Sequence, residues 1–256
     1  MPIELPPVEL PTIETLHEKD LEEARAIQGV MLPAHPLRSE HVTISHEFQP
    51  VSEVGGDFLD YFPLPDGKIG LYIGDVSGKG LPAALYAALA VGTLRGVHKT
   101  GQQPSRVLSL LNERLLLRGI PVRHTAIQYA IFDPLTAQLR IASAGMPGPL
   151  LLHGNDCRLL QVAGIPPGLF PDVSYDELVL QLESGDSLLF FTDGLTDARN
   201  LLNQEFDVKR LQEVCQCRAS ESPLALLGHV FKAVHEFSFN CRQFDDMTAA
   251  LFHFSA

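Results

Sequence analysis

Four aspartates of this chain stand where an apolar run begins or ends. Asp75 follows the run Ile69–Ile73 and precedes two glycines, in G-D-V-S-G-K-G-L-P-A-A-L (74–85). Asp193 closes L-L-F-F-T (188–192) and is followed by Gly194. Asp57 follows Gly55-Gly56, and the pair Asp245-Asp246 precedes the terminal run M-T-A-A-L-F-H-F. A carboxylate at such a place is costly unless something binds it. Brought together, these groups would repel one another until cations neutralised them. An all-oxygen donor set suits Mg²⁺ or Mn²⁺ rather than zinc. Two such ions about 3.5–4 Å apart activate water and clamp the oxygens of a phosphoryl group. Any one Asp-Gly is foremost a turn dipeptide. Spacing alone leaves open whether the four converge.

Other chemistries lack their signatures. The chain has no G-x-S-x-G, H-E-x-x-H or S-x-x-K. Gly78-Lys79-Gly80 is no phosphate-binding P-loop, because Ile73 stands where its first glycine belongs and no Ser or Thr follows the lysine. Lys79 therefore reads as a surface lysine where a helix begins. Gly55-Gly56-Asp57-Phe58 lacks the glutamate of the nucleotide-cyclase G-G-D-E-F pattern. A net charge of −12 argues against nucleic acid or an anionic membrane as the main partner. The four cysteines form no C-x-x-C pair, and they read as reduced thiols of a cytoplasmic protein. No run approaches about 18 consecutive apolar residues, the length of a membrane span.

The elements that must position the aspartates are legible. With 256 residues, 45% of them hydrophobic, the chain suits one large domain with a small appendage. Residues 1–14 read as an extended, proline-rich tail. A capping box at Thr15 and Glu18 predicts an amphipathic helix within residues 15–36, with Leu21, Ala24, Ile27 and Met31 as its apolar stripe. That stripe either docks on the domain or pairs with a second copy or a regulatory partner. Residues 37–256 form the main domain. Strands are expected from Val42, over Phe58–Leu64, before Asp75, over Thr125–Phe132 with Gln138–Ala142 as a hairpin, and over Pro149–His153. Further strands are expected at Leu178–Leu182, Ser187–Thr192 and Met247–Phe254. Helices follow Asp75, with Leu81, Leu85 and Leu89 four apart, and span Pro104–Leu117, Val208–Cys217 and Pro223–Phe237. Hairpin-joined strands with helices inserted between them predict an α+β layered fold.

In order, V-G-G-D-F-L-D (54–60), I-G-D-V-S-G-K-G-L-P-A-A-L (73–85), S-A-G-M-P-G-P-L-L (143–151), L-L-F-F-T-D-G-L-T-D-A (188–198) and D-D-M-T (245–248) resemble the SpoIIE-like (RsbU-like) branch of the metal-dependent PPM, or type 2C, protein serine/threonine phosphatases. The resemblance implies an α-β-β-α sandwich, two antiparallel sheets flanked by helices. It implies two Mn²⁺ or Mg²⁺ ions with Asp75 as bridge, helped by the Val76 carbonyl. Asp193 and Asp245 would hold one ion, Asp57 would hold a metal or its water, and Asp246 is the second member of its pair. Asp57 and Asp75 are then the catalytic carboxylates. The implied reaction is in-line attack by a bridging hydroxide on phosphoserine or phosphothreonine. The implied partner is a phosphorylated regulatory protein of the anti-sigma-factor-antagonist type.

The chain departs from the family pattern at Ser143 and Met146, where N-A-G-H-P-P has Asn and His, and at Asp197, which replaces a common Glu. The loss of an imidazole and an amide keeps a second reading alive, a pseudophosphatase that docks a phosphoprotein without turnover. A third is an unrelated binuclear hydrolase of small phosphate esters.

Overall fold

The computed structural model describes residues 13–97, 101–117, 123–217 and 222–255, with only the helical backbone of 13–17. The expected tail at 1–14 thus lies mostly outside the described residues. In order the elements are α1 (Ile13–Met31), β1 (Leu37–Arg38), β2 (Val42–Gln49), β3 (Phe58–Pro63), β4 (Ile69–Val76), α2 (Gly80–Val97) and α3 (Pro104–Leu116). There follow β5 (Thr125–Asp133), β6 (Gln138–Ala144), β7 (Leu150–His153), β8 (Asp156–Leu159), β9 (Leu178–Gln181), β10 (Ser187–Phe191), α4 (Asp193–Thr196), α5 (Asp207–Cys217), α6 (Pro223–Phe237) and β11 (Met247–Phe254). One sheet has the order β1-β2-β11-β10-β7-β8 and the other β3-β4-β5-β6-β9. Every pairing in both is antiparallel.

The strands are apolar on both faces because each sheet is covered on both sides. In β10, Leu188 and Phe190 point into the layer between the sheets, while Leu189 and Phe191 face α5 and α6. In β4, Leu71 and Ile73 join the inter-sheet layer, and Tyr72 and Val76 face α2 and α3. Two-residue alternation therefore feeds three successive apolar layers, which is the α-β-β-α sandwich.

Several elements differ from expectation. Helix α1 begins by Ile13, ahead of the proposed cap at Thr15. It docks through Gln28, while Ile27 of the apolar stripe is 67% exposed. Helix α2 buries Ala83, Ala87 and Ala90 and turns Leu81, Leu85 and Leu89 outward. Its small side chains let the backbone lie close to the sheet, which displaces the larger leucines to the far face. By length and composition α2 would suffice to cross a bilayer, but its Tyr86, Val91 and Leu94 are packed in the core. Helix α3 buries Val107, Leu108, Leu111 and Leu115 as its periodicity requires. The short β1, β8 and α4 have no counterpart in the sequence reading.

Candidate metal centre

The two sheets bring their aspartates to one end of the sandwich. Asp57 lies just before β3, Asp75 is the penultimate residue of β4, Asp193 starts α4 two residues after the end of β10, and Asp245-Asp246 lie just before β11. Because β3 pairs with β4 (Phe58↔Gly74) and β10 with β11 (Phe191↔Ala249), each antiparallel pair delivers its two acids to the same edge.

Asp57 is fully buried and joins the two sheets. Its Oδ2 accepts hydrogen bonds from Thr192 Oγ1 (2.8 Å) and Thr248 Oγ1 (2.5 Å) on the opposite sheet. The Thr192 and Thr248 backbones are themselves tied together, Thr192 N donating to Thr248 O at 3.0 Å. Asp57 also lies close enough to Asp75 for the two carboxyl groups to influence each other. Burial, then the charge of Asp75, pushes the Asp57 carboxyl well up. Burial, then Asp193 and Asp245, raises Asp75 to about 7. Asp193, exposed at the rim, is raised by partial desolvation and then by Asp197 and Asp245. Buried carboxylates crowded in this way form a site poised for cations.

Asp246 stands apart from this cluster. Both its oxygens are taken by backbone amides, Oδ1 by Val51 N (2.7 Å) and Oδ2 by Gly56 N (2.6 Å). Read from the sequence as the second acid of its pair, it fastens the 51–56 loop through its carboxylate and so sets the position of Asp57. The amide side chain of Gln28 grips the same loop from α1, accepting from Gly55 N at 3.0 Å and donating to Gly55 O at 2.7 Å. Neither the Asp246 anchoring nor the Gln28 grip was apparent from the sequence.

The Val76 carbonyl faces the loop so closely that a Cβ on Gly56 would come within 2.8 Å of it. At Gly194 a Cβ would lie 1.9 Å from the Asp246 carbonyl, so the glycine after Asp193 is dictated by packing. Met146, in place of the family imidazole, is buried in the inter-sheet layer, and Ser143 Oγ donates to its carbonyl at 3.3 Å. Lys79, read as an uninvolved surface lysine, makes an ion pair with Asp245 Oδ2 at 3.2 Å.

Do these residues suit divalent ions? The donors are carboxylates and a carbonyl, and the crowding of buried acids that raises Asp57 and Asp75 favours a cationic partner, so they do. Among the described residues, however, no three acidic or imidazole side chains already stand in ligating geometry around one point. Lys79 holds Asp245, the threonines hold Asp57, and ligation requires side-chain rearrangement at Asp245. A cleft of about 200 Å³ opens beside Gly194, with Arg199, Phe239, Arg242, Phe244 and Met247 in its walls.

Fold and site together define a type 2C phosphatase architecture: two antiparallel sheets between helices, with acids gathered at one end. Over most of the same span, residues 65–255, the chain matches the profile of the Stage II sporulation protein E (SpoIIE) family, and it belongs to that family. Protein IcfG of Synechocystis sp. is 25% identical over 90% of this chain and 40% of its own length. Phosphoserine phosphatase RsbU of Bacillus subtilis is 27% identical over 80% of this chain and 62% of its own. The chain thus spans less than two thirds of either relative. The SiaA-PP2C domain of Pseudomonas aeruginosa superposes with a TM-score of 0.83, at 22% identity, covering 94% of this chain and 98% of that one.

Proposed function

We propose that the chain is a metal-dependent phosphoprotein phosphatase that hydrolyses phosphoserine or phosphothreonine on a regulatory protein of the anti-sigma-factor-antagonist type. The observation that carries this reading is the gathering of Asp57, Asp75, Asp193 and Asp245 at one end of the sandwich, where burial and then the charges of Asp193 and Asp245 raise Asp75 to about 7. The kinship with a phosphoserine phosphatase supports the substrate class.

Asp75 and the Val76 carbonyl, Asp57, Asp193 and Asp245 would hold two Mn²⁺ or Mg²⁺ ions. Once bound, the ions supply Lewis-acid activation of water and neutralise charge on the phosphoryl oxygens. Cation binding would favour the ionised forms of Asp57 and Asp75, whose carboxyls are raised in the metal-free fold. The hydroxyls of Thr192 and Thr248 keep Asp57 oriented and donate to its charged form. The open cleft beside Gly194, walled by exposed Phe239 and Phe244, suits a polypeptide lying across the surface better than a small enclosed ester.

Hydrolysis of a phosphoserine peptide in Mn²⁺, by wild type and by Asp75→Asn and Asp193→Asn, tests the reading. Metal-dependent turnover lost in both variants is expected. A wild type that neither turns over nor binds Mn²⁺ by calorimetry at millimolar concentration would favour the docking-module alternative and defeat this one.

A further inference from the structure

We propose that Lys79 anchors the phosphate of the substrate, with Arg123 as the positioning residue of the turn that carries it. The inference rests on the phosphatase reading and adds a residue to it. Lys79 Nζ lies 3.2 Å from Asp245 Oδ2 and 3.8 Å from the centroid of the Phe244 ring, with about a third of each charged side chain exposed. It is therefore at the mouth of the acidic cluster, in reach of both a carboxylate and solvent.

The turn bearing it starts directly after Asp75 and Val76. It is held rigidly from the β5 side: Ser77 N donates to His124 O at 3.0 Å, His124 N to Ser77 Oγ at 3.1 Å, and the Arg123 guanidinium to the Ser77 carbonyl. Gly78 takes a positive φ of 95° there, directly against the Arg123 side chain.

Charge balance gives the lysine its task. With Asp246 occupied by the 51–56 loop, the cluster and its rim hold Asp57, Asp75, Asp193, Asp197 and Asp245. Two dications against five carboxylates leave one negative charge, and a phosphomonoester dianion would meet net repulsion. Lys79 is the one ammonium among the described residues in contact with the cluster. When Asp245 turns to a cation, its bond to Lys79 is released. The Phe244 ring then keeps the ammonium over the cleft through its negative face. A compact charge on a flexible stem can follow a phosphoryl group as its geometry changes.

The test uses the full chain with Mn²⁺ bound, inorganic phosphate as inhibitor, and a phosphoserine peptide as substrate. Lys79→Met should raise both the phosphate inhibition constant and KM about 10- to 100-fold, as expected for one lost charge-assisted hydrogen bond. The Mn²⁺ dissociation constant, read by calorimetry, should be unchanged or tighter, since a competing cation has been removed. Lys79→Arg should recover most of the phosphate affinity. If Lys79→Met leaves the inhibition constant and KM within twofold of wild type, the lysine only occupies Asp245 in the metal-free protein, and the inference is wrong. Weakening of Mn²⁺ and phosphate in equal proportion would also overturn it, by showing a structural effect. Phosphate binding to the Mn²⁺-loaded protein, followed calorimetrically, reads Lys79 even if no turnover is found, so failure of the phosphatase reading stays distinguishable.

Discussion

Asp75→Asn should stabilise the metal-free protein at pH 8 while destroying its response to metal. In the folded chain the Asp75 carboxyl titrates near 7 against an ordinary value of 3.8. A raised value means that the fold binds a proton the unfolded chain has already released. Metal-free stability is therefore greatest below about pH 4 as far as this group is concerned, and falls as pH rises toward 7. At about 1.4 kcal/mol per pH unit, that loss is on the order of 4 kcal/mol by pH 8. Because Asp57 is coupled to Asp75 and remains buried in the variant, one substitution should recover about half, roughly 2 kcal/mol. For a chain of this size that corresponds to a rise of about 4–8 °C in Tm. Thermal unfolding in EDTA at pH 5 and pH 8 reads the effect, with the gain expected at pH 8 and little at pH 5. Added Mn²⁺ should raise the Tm of wild type at pH 8 and leave the variant where it is. A variant that melts below wild type in EDTA at pH 8 would refute the repulsion argument. So would one that keeps the full metal-induced shift.

Thr248→Val removes the shorter hydroxyl donor to Asp57, so the carboxylate should be harder to ionise and Mn²⁺ affinity should fall about tenfold in calorimetry, with little change in the circular dichroism spectrum. Gly194→Ala forces a Cβ into the Asp246 carbonyl and should cost about 2 kcal/mol or more in denaturant unfolding, a loss that Mn²⁺ does not restore. Gln28→Ala leaves the Gly55 amide and carbonyl unpaired, and should lower stability by about 1–3 kcal/mol and weaken metal binding through the loop that carries Asp57. Met146→His, which restores the family residue type, should destabilise by about 2 kcal/mol, because the side chain lies in an apolar layer.

The long elements were legible because their patterns are dense. Helix α6 and strand β11 have the bounds that their apolar periodicity predicts, and α3 buries the four residues its spacing selects. The end-of-strand positions of Asp57, Asp75, Asp193 and Asp245 were legible for a related reason: a charge beside a buried run has few places to go. What escaped was determined by partners far away in sequence. Asp246 looks like a twin of Asp245, and only the amides of Val51 and Gly56, some 190 residues distant, separate their roles. Gln28 is one polar residue among many in a charged helix, and its burial depends on a loop that the helix pattern does not contain. In α2 the four-residue spacing of the leucines does not mark the buried face, because bulk matters more than hydrophobicity where a helix must lie close to a sheet. Strand β8 is four residues long, and α4 a single turn, too short for a period to register.

The pairing of β2 with β11 has a consequence for how the protein comes into being. Val42 lies opposite Phe254 and Gln49 opposite Met247, so strands some 200 residues apart are neighbours, and β11 is central in its sheet, between β2 and β10. During synthesis β2 and β10 are made with the slot between them vacant. Closing so long a loop costs entropy that only the finished strand repays. The helix-covered sheet containing β4 and β5 has no such dependence, since its neighbours follow in near succession. We expect it to gain protection from hydrogen exchange first in a refolding experiment, with β2, β10 and β11 later. Asp245 arrives with that last strand, and the Thr248 hydroxyl that orients Asp57 arrives with it. An unfinished or partly folded chain therefore lacks a complete set of acids, and on the proposed reading any capacity to bind metal would be acquired only as the fold closes.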